Sequence, residues 1–595
     1  MSDIAFTLDS LRATYDAGRT PLDVIEAVLA RIEAADDPGI FIHLESPASL
    51  RAAAAAIGPR NAGKPLWGVP FAVKDNIDVA GMPTTCACPE FAYVPETDAP
   101  VVRALKQAGA ICIGKTNLDQ FASGLVGVRT PYPVPRNAVD ATLVPGGSSS
   151  GSAVAVKHGI VAFSLGTDTA GSGRVPAALN GIVGLKPSLG ALSTRGLVPA
   201  CRTLDCISIF AQSVADAEAV FSVTASYDAA DPFSRAYDFA GSRASVATSR
   251  IGIPSAASIR FFGDEVQARS FAETAALLKS LGANVREVDF TPFYAAADLL
   301  YHGPWLAERL AGIAGFLEGH ADALHPVTRK IITGAREMSA VDAFNGLYRL
   351  QALKREAEQE LAGIDVLCVP SIPGICTLAD IEADPFGPNA RLGTYTNFVN
   401  LLDMCGLTLP TGLRSDGLPA SVTLLGRGGS DRRLASLGRE LTGDAHARRI
   451  NAVQAAAPVS APIQLAVVGA HLSGMALNHE VRALGATLVR EAATAAEYNL
   501  FVLPGSVPPK PGLLRVGPEK GASIELEIWS FPAEGFARFV SAIPTPLGIG
   551  TIRLDDGGSV QGFLVEALAV ADAPNITRFG GWRGYVGKPA EHALE

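Results

Sequence analysis

Metal-ligand patterns are missing from these 595 residues. The nine histidines show no HExxH, the eight cysteines form no CxxC pair, and only Cys86 and Cys88 lie close together. A zinc centre needs such ligands at defined spacing, so no metal is expected and the thiols read as reduced and buried. Long apolar runs are missing too. No stretch reaches the roughly 18 residues of a membrane-spanning helix, and Met1 to Thr7 lacks the basic then apolar pattern of a secretory leader, so a cytoplasmic location is expected. An excess of positive charge is also absent. Lys and Arg number 49 against 59 Asp and Glu, a net charge of −10, which argues against nucleic acid or an anionic membrane as partner. A small-molecule substrate is the reading left. With 48% hydrophobic and 18% charged residues, the composition is that of a globular chain.

Three segments carry chemistry. Lys74 follows the apolar run Trp67 to Val73, Ser148 lies in the glycine-rich run Gly146 to Gly151, and Ser172 lies in Gly166-Thr167-Asp168-Thr169-Ala170-Gly171-Ser172-Gly173-Arg174. A serine hydroxyl is a weak nucleophile until a base takes its proton, and a lysine is such a base only when burial keeps it neutral near pH 7. The oxyanion formed on a carbonyl needs backbone N–H groups aimed at it, and the small residues ahead of Ser172 allow amides to converge. Together the three segments point to acyl transfer from an amide. Gly-Gly-Ser-Ser-Ser-Gly alone reads as a flexible linker, but here it runs straight into the apolar stretch Ala153 to Val156. Cys86 and Cys88 are the disfavoured alternative nucleophiles.

From Gly146 through Lys186-Pro187 the chain resembles the amidase-signature enzymes, with matching spacings of 74 residues from Lys74 to Ser148 and 24 from Ser148 to Ser172. The resemblance implies that Ser172 is the nucleophile, Ser148 a bridging serine after a cis peptide and Lys74 the general base. It also implies an oxyanion hole from the amides of Thr169, Ala170 and Gly171, bracing by Asp168 and Arg174, and no cofactor.

Short apolar stretches at Ile40–Glu45, Val69–Val73, Ala110–Gly114, Ile160–Leu165, Ile251–Ile253 and Val366–Val369 alternate with helix-length segments. The pattern predicts an α/β fold with a mixed, largely parallel sheet covered by helices. Thr20-Pro21 predicts the start of a helix whose apolar face carries Val24, Ile25 and Val28. From Ala445 the chain turns polar and then rich in Ala and Pro. The expected organisation is a catalytic domain over 1–444, a linker over 445–463 and a smaller α+β domain over 464–595. The latter would hold strands near Gln464–Val468, Leu500–Leu503, Ser523–Trp529, Gly548–Leu554 and Val560–Val565, with Asp555 to Gly558 as a hairpin turn.

Leu299 to Arg309, Phe71 to Thr85 and Ala170 to Pro176 are similar to the corresponding segments of allophanate hydrolases, as are Val467 to Gly474 and Ile576 to Trp582. That likeness implies hydrolysis of allophanate, urea carrying a carboxylate, to ammonia and N-carboxycarbamate, which then loses carbon dioxide. It implies that Arg309 clamps the carboxylate and that Tyr301 hydrogen-bonds the substrate, their eight-residue spacing being about two helical turns. Without the likeness, Arg309 reads as a surface ion pair with Glu308. Gly124, in Gln120 to Gly124, resembles a substrate-lining position. His471, with His479 second, is the candidate in the C-terminal domain, where a structurally satisfied histidine is the alternative. A homodimer and a functional link to a urea carboxylase are further implications. Open alternatives are an amidase for another carboxyl-bearing amide such as a malonamate, a subunit of an amidotransferase complex, and a silent scaffold.

Overall fold

The computed structural model describes residues 4–239, 244–454, 463–505 and 508–587, with backbone alone for 444–454, 533, 534 and 537. The chain divides into two compact units, Met1–Ala447 and Arg448–Glu595. The helix Asp431–Gln454 continues through the first part of the segment expected to be a linker, and residues 455–462 of that segment lie outside the described residues.

In the first unit Thr20 and Pro21 open the helix Pro21–Ala35. The Thr20 hydroxyl accepts from Asp23 N while the Asp23 carboxylate accepts from Thr20 N. This reciprocal cap satisfies backbone donors that have no intrahelical acceptor, and Val24, Ile25 and Val28 are buried beneath it. The strands are β1 (Phe41–Leu44), β2 (Pro70–Lys74), β3 (Ile111–Thr116), β4 (Phe163–Asp168), β5 (Val183–Lys186), β6 (Cys206–Ala211), β7 (Arg250–Pro254), β8 (Asn284–Val288), β9 (Val366–Pro370), β10 (Met404–Leu413) and β11 (Pro419–Arg427). They form one sheet in the order β1-β3-β2-β4-β6-β5-β10-β11-β9-β7-β8. Helices cover it: Ser150–Lys157 packs on β2, β4 and β6, and Glu265–Ser280 on β8 and β11.

The sheet is mixed, as the sequence predicts, but its parallel share is smaller than expected. Among the described residues four neighbouring pairs are parallel and six are antiparallel. The reason lies in the connections. No α-helix intervenes between β5 and β6 or between β10 and β11, and strands joined without a crossover helix return antiparallel.

The parallel part positions the functional segments. β2 and β4 are parallel neighbours, with Val73 opposite Leu165, so Lys74 and Asp168, the last residue of each, emerge at the same edge. Sites in α/β sheets form where strand ends converge in this way.

The second unit contains β12 (Ile463–Val467), β13 (Thr487–Ala493), β14 (Tyr498–Val502), β15 (Pro511–Arg515), β16 (Glu525–Phe531), β17 (Leu547–Arg553) and β18 (Ser559–Val565). Five strands run in the order β13-β16-β12-β18-β17, and β14 pairs with β15. Asp555 to Gly558 turns β17 into β18, with Leu554 N donating to Gly558 O and Gly557 at φ +86°. Trp529 and Phe531 anchor the core. The buried Glu527 carboxylate accepts from Ser473 N, Trp529 Nε1 and Arg583, which pins the helix Trp582–Val586 to the sheet.

Among the described residues no helix is long and apolar enough to cross a membrane, and no cluster of His, Cys, Asp and Glu is set to hold a metal. All eight cysteines are free and buried. Burial pushes the Cys86 thiol far above its ordinary range and the Cys88 thiol up to about 11, so neither supplies a thiolate near neutrality.

Candidate active site

Lys74 ends a strand in which every residue is buried, and it is itself fully buried. An ammonium in such a place loses its hydration. Burial lowers the Lys74 pKa to about 7, against the opposing pull of the Asp119, Asp205 and Asp168 carboxylates. Nζ donates at 2.7 Å to both Ser148 Oγ and Thr167 Oγ1.

Ser148 follows a cis peptide bond from Gly147. A Cβ on Gly147 would lie 2.0 Å from Asp119 Oδ2 and 2.5 Å from Gly127 N, so only glycine fits there. Ser149 Oγ donates to Thr167 O, and Thr167 N donates back to it. The serine run is thereby laced to the end of β4, and the helix Ser150–Lys157 begins immediately after it.

The loop after β4 is organised by Asp168. Its carboxylate accepts from Gly171 N, Gly173 N, Arg174 Nε and Arg174 Nη2 at 2.8–3.0 Å. Burial raises its pKa, but the Arg174 charge and hydrogen bonds outweigh burial and hold it below the usual carboxylate range. Arg174 reaches on to Thr396 O, and Asn400 Nδ2 donates to Asp168 O. Gly171 adopts φ +130°, and a Cβ there would lie 2.4 Å from Thr396 Oγ1. Its N–H is already engaged by Asp168. The amides of Thr169, Ala170 and Ser172 have no acceptor among the described residues. Ser172 is 2% exposed, and its hydroxyl makes no hydrogen bond among the described residues. No hydrogen bond joins it to Ser148, which accepts from Lys74 and keeps its own proton to donate.

Arg309 is 3% exposed, which overturns the surface ion pair as its role. Glu308 instead accepts from Thr203 N and Oγ1. Nη1 of Arg309 donates to Ser123 Oγ at 3.4 Å, and the buried Nε has no partner. A buried guanidinium with an unused donor is costly unless an anion completes it.

Tyr301 lies beside it, with the guanidinium 5.6 Å from its ring centroid. The two residues do not share a helix, contrary to expectation. Tyr301 belongs to Thr291–His302 and Arg309 to Trp305–His320. Pro304 lacks an N–H and disfavours the helical conformation at Gly303, which is extended at φ −120°, ψ −168°.

Gly124 is buried against Asp119, where a Cβ would lie 2.5 Å from Oδ2. Its neighbour Ser123 faces the arginine. In the second unit His471 Nε2 lies 3.0 Å from Glu480 and the ring packs between Phe539 and Phe563. Burial lowers its pKa. It lines a cavity of about 90 Å³ together with Lys510, whereas His479 is exposed and its Nδ1 pairs with Ala476 O.

Several residues of this neighbourhood carry no sequence signal of their own. Arg129 is buried and donates to Ser123 O and Pro385 O. Asp205 accepts from Thr169 Oγ1 and from the amides of Ala200 and Cys201, and burial raises its pKa to about 6. Thr167 lies inside the Gly166 to Arg174 motif, and its place at a strand end is the one available hint.

Residues 23–435 match the Amidase family, and residues 463–587 match the allophanate hydrolase C-terminal domain. The urea amidolyase of Saccharomyces cerevisiae is 44% identical over 543 residues, which are 88% of this chain and 30% of that protein. The chain thus spans about 30% of the length of that relative. One subunit of the glutamyl-tRNA(Gln) amidotransferase of Nitratidesulfovibrio vulgaris is 35% identical over 460 residues, 71% of this chain and 92% of its own. Among solved structures, Kluyveromyces lactis allophanate hydrolase superposes with a TM-score of 0.70 at 38% identity, covering 98% of this chain and 99% of that one. The chain belongs to the amidase family and carries an allophanate hydrolase C-terminal domain after its amidase domain.

Proposed function

We propose that the chain hydrolyses allophanate through a Ser-Ser-Lys acyl-enzyme mechanism. The observation that carries the reading is the pairing of a lysine poised near neutrality with a buried, incompletely satisfied arginine. One supplies a base, and the other calls for an anion beside the scissile amide.

The Arg309 fork, with Tyr301 next to it, receives the substrate carboxylate, since a guanidinium matches carboxylate geometry. Ser172 Oγ attacks the terminal carbonyl. Its proton passes to Ser148, and the Ser148 proton passes to neutral Lys74. The two-serine link closes when substrate binds, as catalytic hydrogen bonds commonly tighten in the complex. The oxyanion is held by the N–H groups of Thr169, Ala170 and Ser172, while Gly171 works through its bond to Asp168. Asp168 and Arg174 fix the loop that aims these amides. The proton returns along the same relay to the leaving nitrogen, and ammonia departs. Water then enters by that route and releases N-carboxycarbamate.

In the second unit we assign loss of carbon dioxide from that product to the cavity at His471, because the half-buried imidazole and Lys510 face the same space. The substrate is a carboxylated urea, which gives a urea carboxylase as its functional link. A homodimer is part of the reading. The helix Ala340–Glu360 exposes Val341, Phe344, Leu347 and Tyr348 along one stripe, an apolar face that a second copy would cover.

The test is a substrate panel with the purified chain, measuring ammonia released per molecule consumed. We expect allophanate to be favoured over malonamate, and both over an uncharged amide. Preference for the uncharged amide rejects the carboxylate clamp. No activity at all supports the alternative of a chain that works only within an amidotransferase complex.

A further inference from the structure

Tyr301 and Arg129 are also walls of a cavity of about 630 Å³. Its Arg129 wall leads to Arg309 through Ser123, since Arg129 holds Ser123 O and Arg309 reaches Ser123 Oγ. One side of the cavity runs through Gly393, Thr394 and Asn397. Thr396, in the same short stretch, packs against Gly171 in the loop of Ser172. This space therefore adjoins both the segment that packs on the Ser172 loop and, through Arg129 and Tyr301, the surroundings of Arg309.

Its charge is unlike that of the chain. The chain carries a net charge of −10, yet the walls contain Arg129, Arg260, Lys330 and Arg391 against one acid, Asp298. Asp298 is already paired with His302 Nδ1 at 2.8 Å. Arg260, Lys330 and Arg391 are exposed, and none of them is ion-paired with a carboxylate among the described residues. Aromatic rings hold two of them in place: the Arg260 guanidinium lies 3.9 Å from the Tyr294 ring centroid, and Lys330 Nζ lies 4.9 Å from that of Phe386. Asp380 and Asp384 feel the Arg391 charge, but Asp380 accepts from Thr377 N at the start of its own helix and Asp384 from Phe386 N and Gly387 N at the start of the next, and neither lines the cavity.

We propose that this mouth is an electrostatic funnel, in which Arg260, Lys330 and Arg391 draw a small carboxylate-bearing substrate inward toward Arg309. A cleft lined by one sign of charge with low-dielectric walls concentrates counter-ions and raises their capture rate. The exposed cations provide the attraction, and the buried Arg309 provides the seat. The proposal deepens the reading of the substrate as an anion and rests on it.

The test reverses the three exposed charges, Arg260→Glu, Lys330→Glu and Arg391→Glu, in the full chain, and follows ammonia release from allophanate and from an uncharged amide as salt is raised. At low salt kcat/KM for allophanate should fall about tenfold with kcat retained. The gap to wild type should close at about 0.5 M salt, where the Debye length has shrunk to a few ångströms. The triple glutamine variant should show a smaller loss of the same salt dependence, and the uncharged amide should be insensitive to either. A loss that is equal at every salt concentration, or equal for the two substrates, overturns the funnel alone. A wild-type chain that releases no ammonia from allophanate overturns the substrate reading and the funnel with it.

Discussion

Lys74 Nζ stands 2.7 Å from Ser148 Oγ at the buried end of β2, with its pKa lowered to about 7. Such an amine accepts a proton only in its neutral form. We therefore expect kcat/KM for ammonia release to rise with pH up to about 7 and to level off above it. Asp205→Asn should move that limb to lower pH, because its carboxylate favours the ammonium form of Lys74. A limb that stays in place in Asp205→Asn, or activity that falls as pH rises through 7, would contradict the assignment of the base.

The same burial makes stability depend on pH. In the unfolded chain Lys74 stays protonated up to about 10.5 and in the folded chain only up to about 7. Between those values the unfolded state binds more protons, so folding is favoured by about 1.4 kcal/mol per pH unit as pH rises. Lys74→Met lacks the group. The wild type should gain on the variant by about that slope from pH 7 to 9 in urea denaturation, and a difference independent of pH would show that the lysine is not desolvated.

Reading the sequence reached the residues that lie in one continuous motif and missed those brought in by the fold. Asp168, Ser172 and Arg174 are near neighbours in the chain, so one pattern carries all of them. Asn400, which donates to Asp168 O, is 232 residues away, and Arg129 and Asp205 come from loops without spacing signals. The Tyr301–Arg309 approach exists, but it crosses a helix break that Gly303-Pro304 announces. In the sheet, β10 carries Gly406, Pro410 and Gly412, residue types that interrupt a strand pattern. Pairing on both sides and a register shift between Pro410 and Gly412 accommodate them.

Arg309→Lys keeps the charge and loses the fork. We expect KM for allophanate to rise about 10- to 100-fold with kcat changed only a few-fold, and no change for an uncharged amide. An equal loss for both substrates would point to a purely structural arginine.

Gly171→Ala places a Cβ 2.4 Å from Thr396 Oγ1 at φ +130°. Neither the backbone nor the buried threonine has room to give. Displacing the amides on either side should lower kcat about 10²–10³-fold with allophanate binding kept, as measured by steady-state kinetics beside a melting curve. Activity close to wild type would show that these amides do not hold the oxyanion.

The most direct test of the account is single-turnover ammonia release from allophanate by Ser172→Ala beside the wild type. If Ser172 Oγ is the attacking atom, release should fall by more than about 10⁴-fold while the variant still binds the substrate. Release within about tenfold of wild type would place the nucleophile elsewhere and remove the basis for the relay from Lys74 through Ser148.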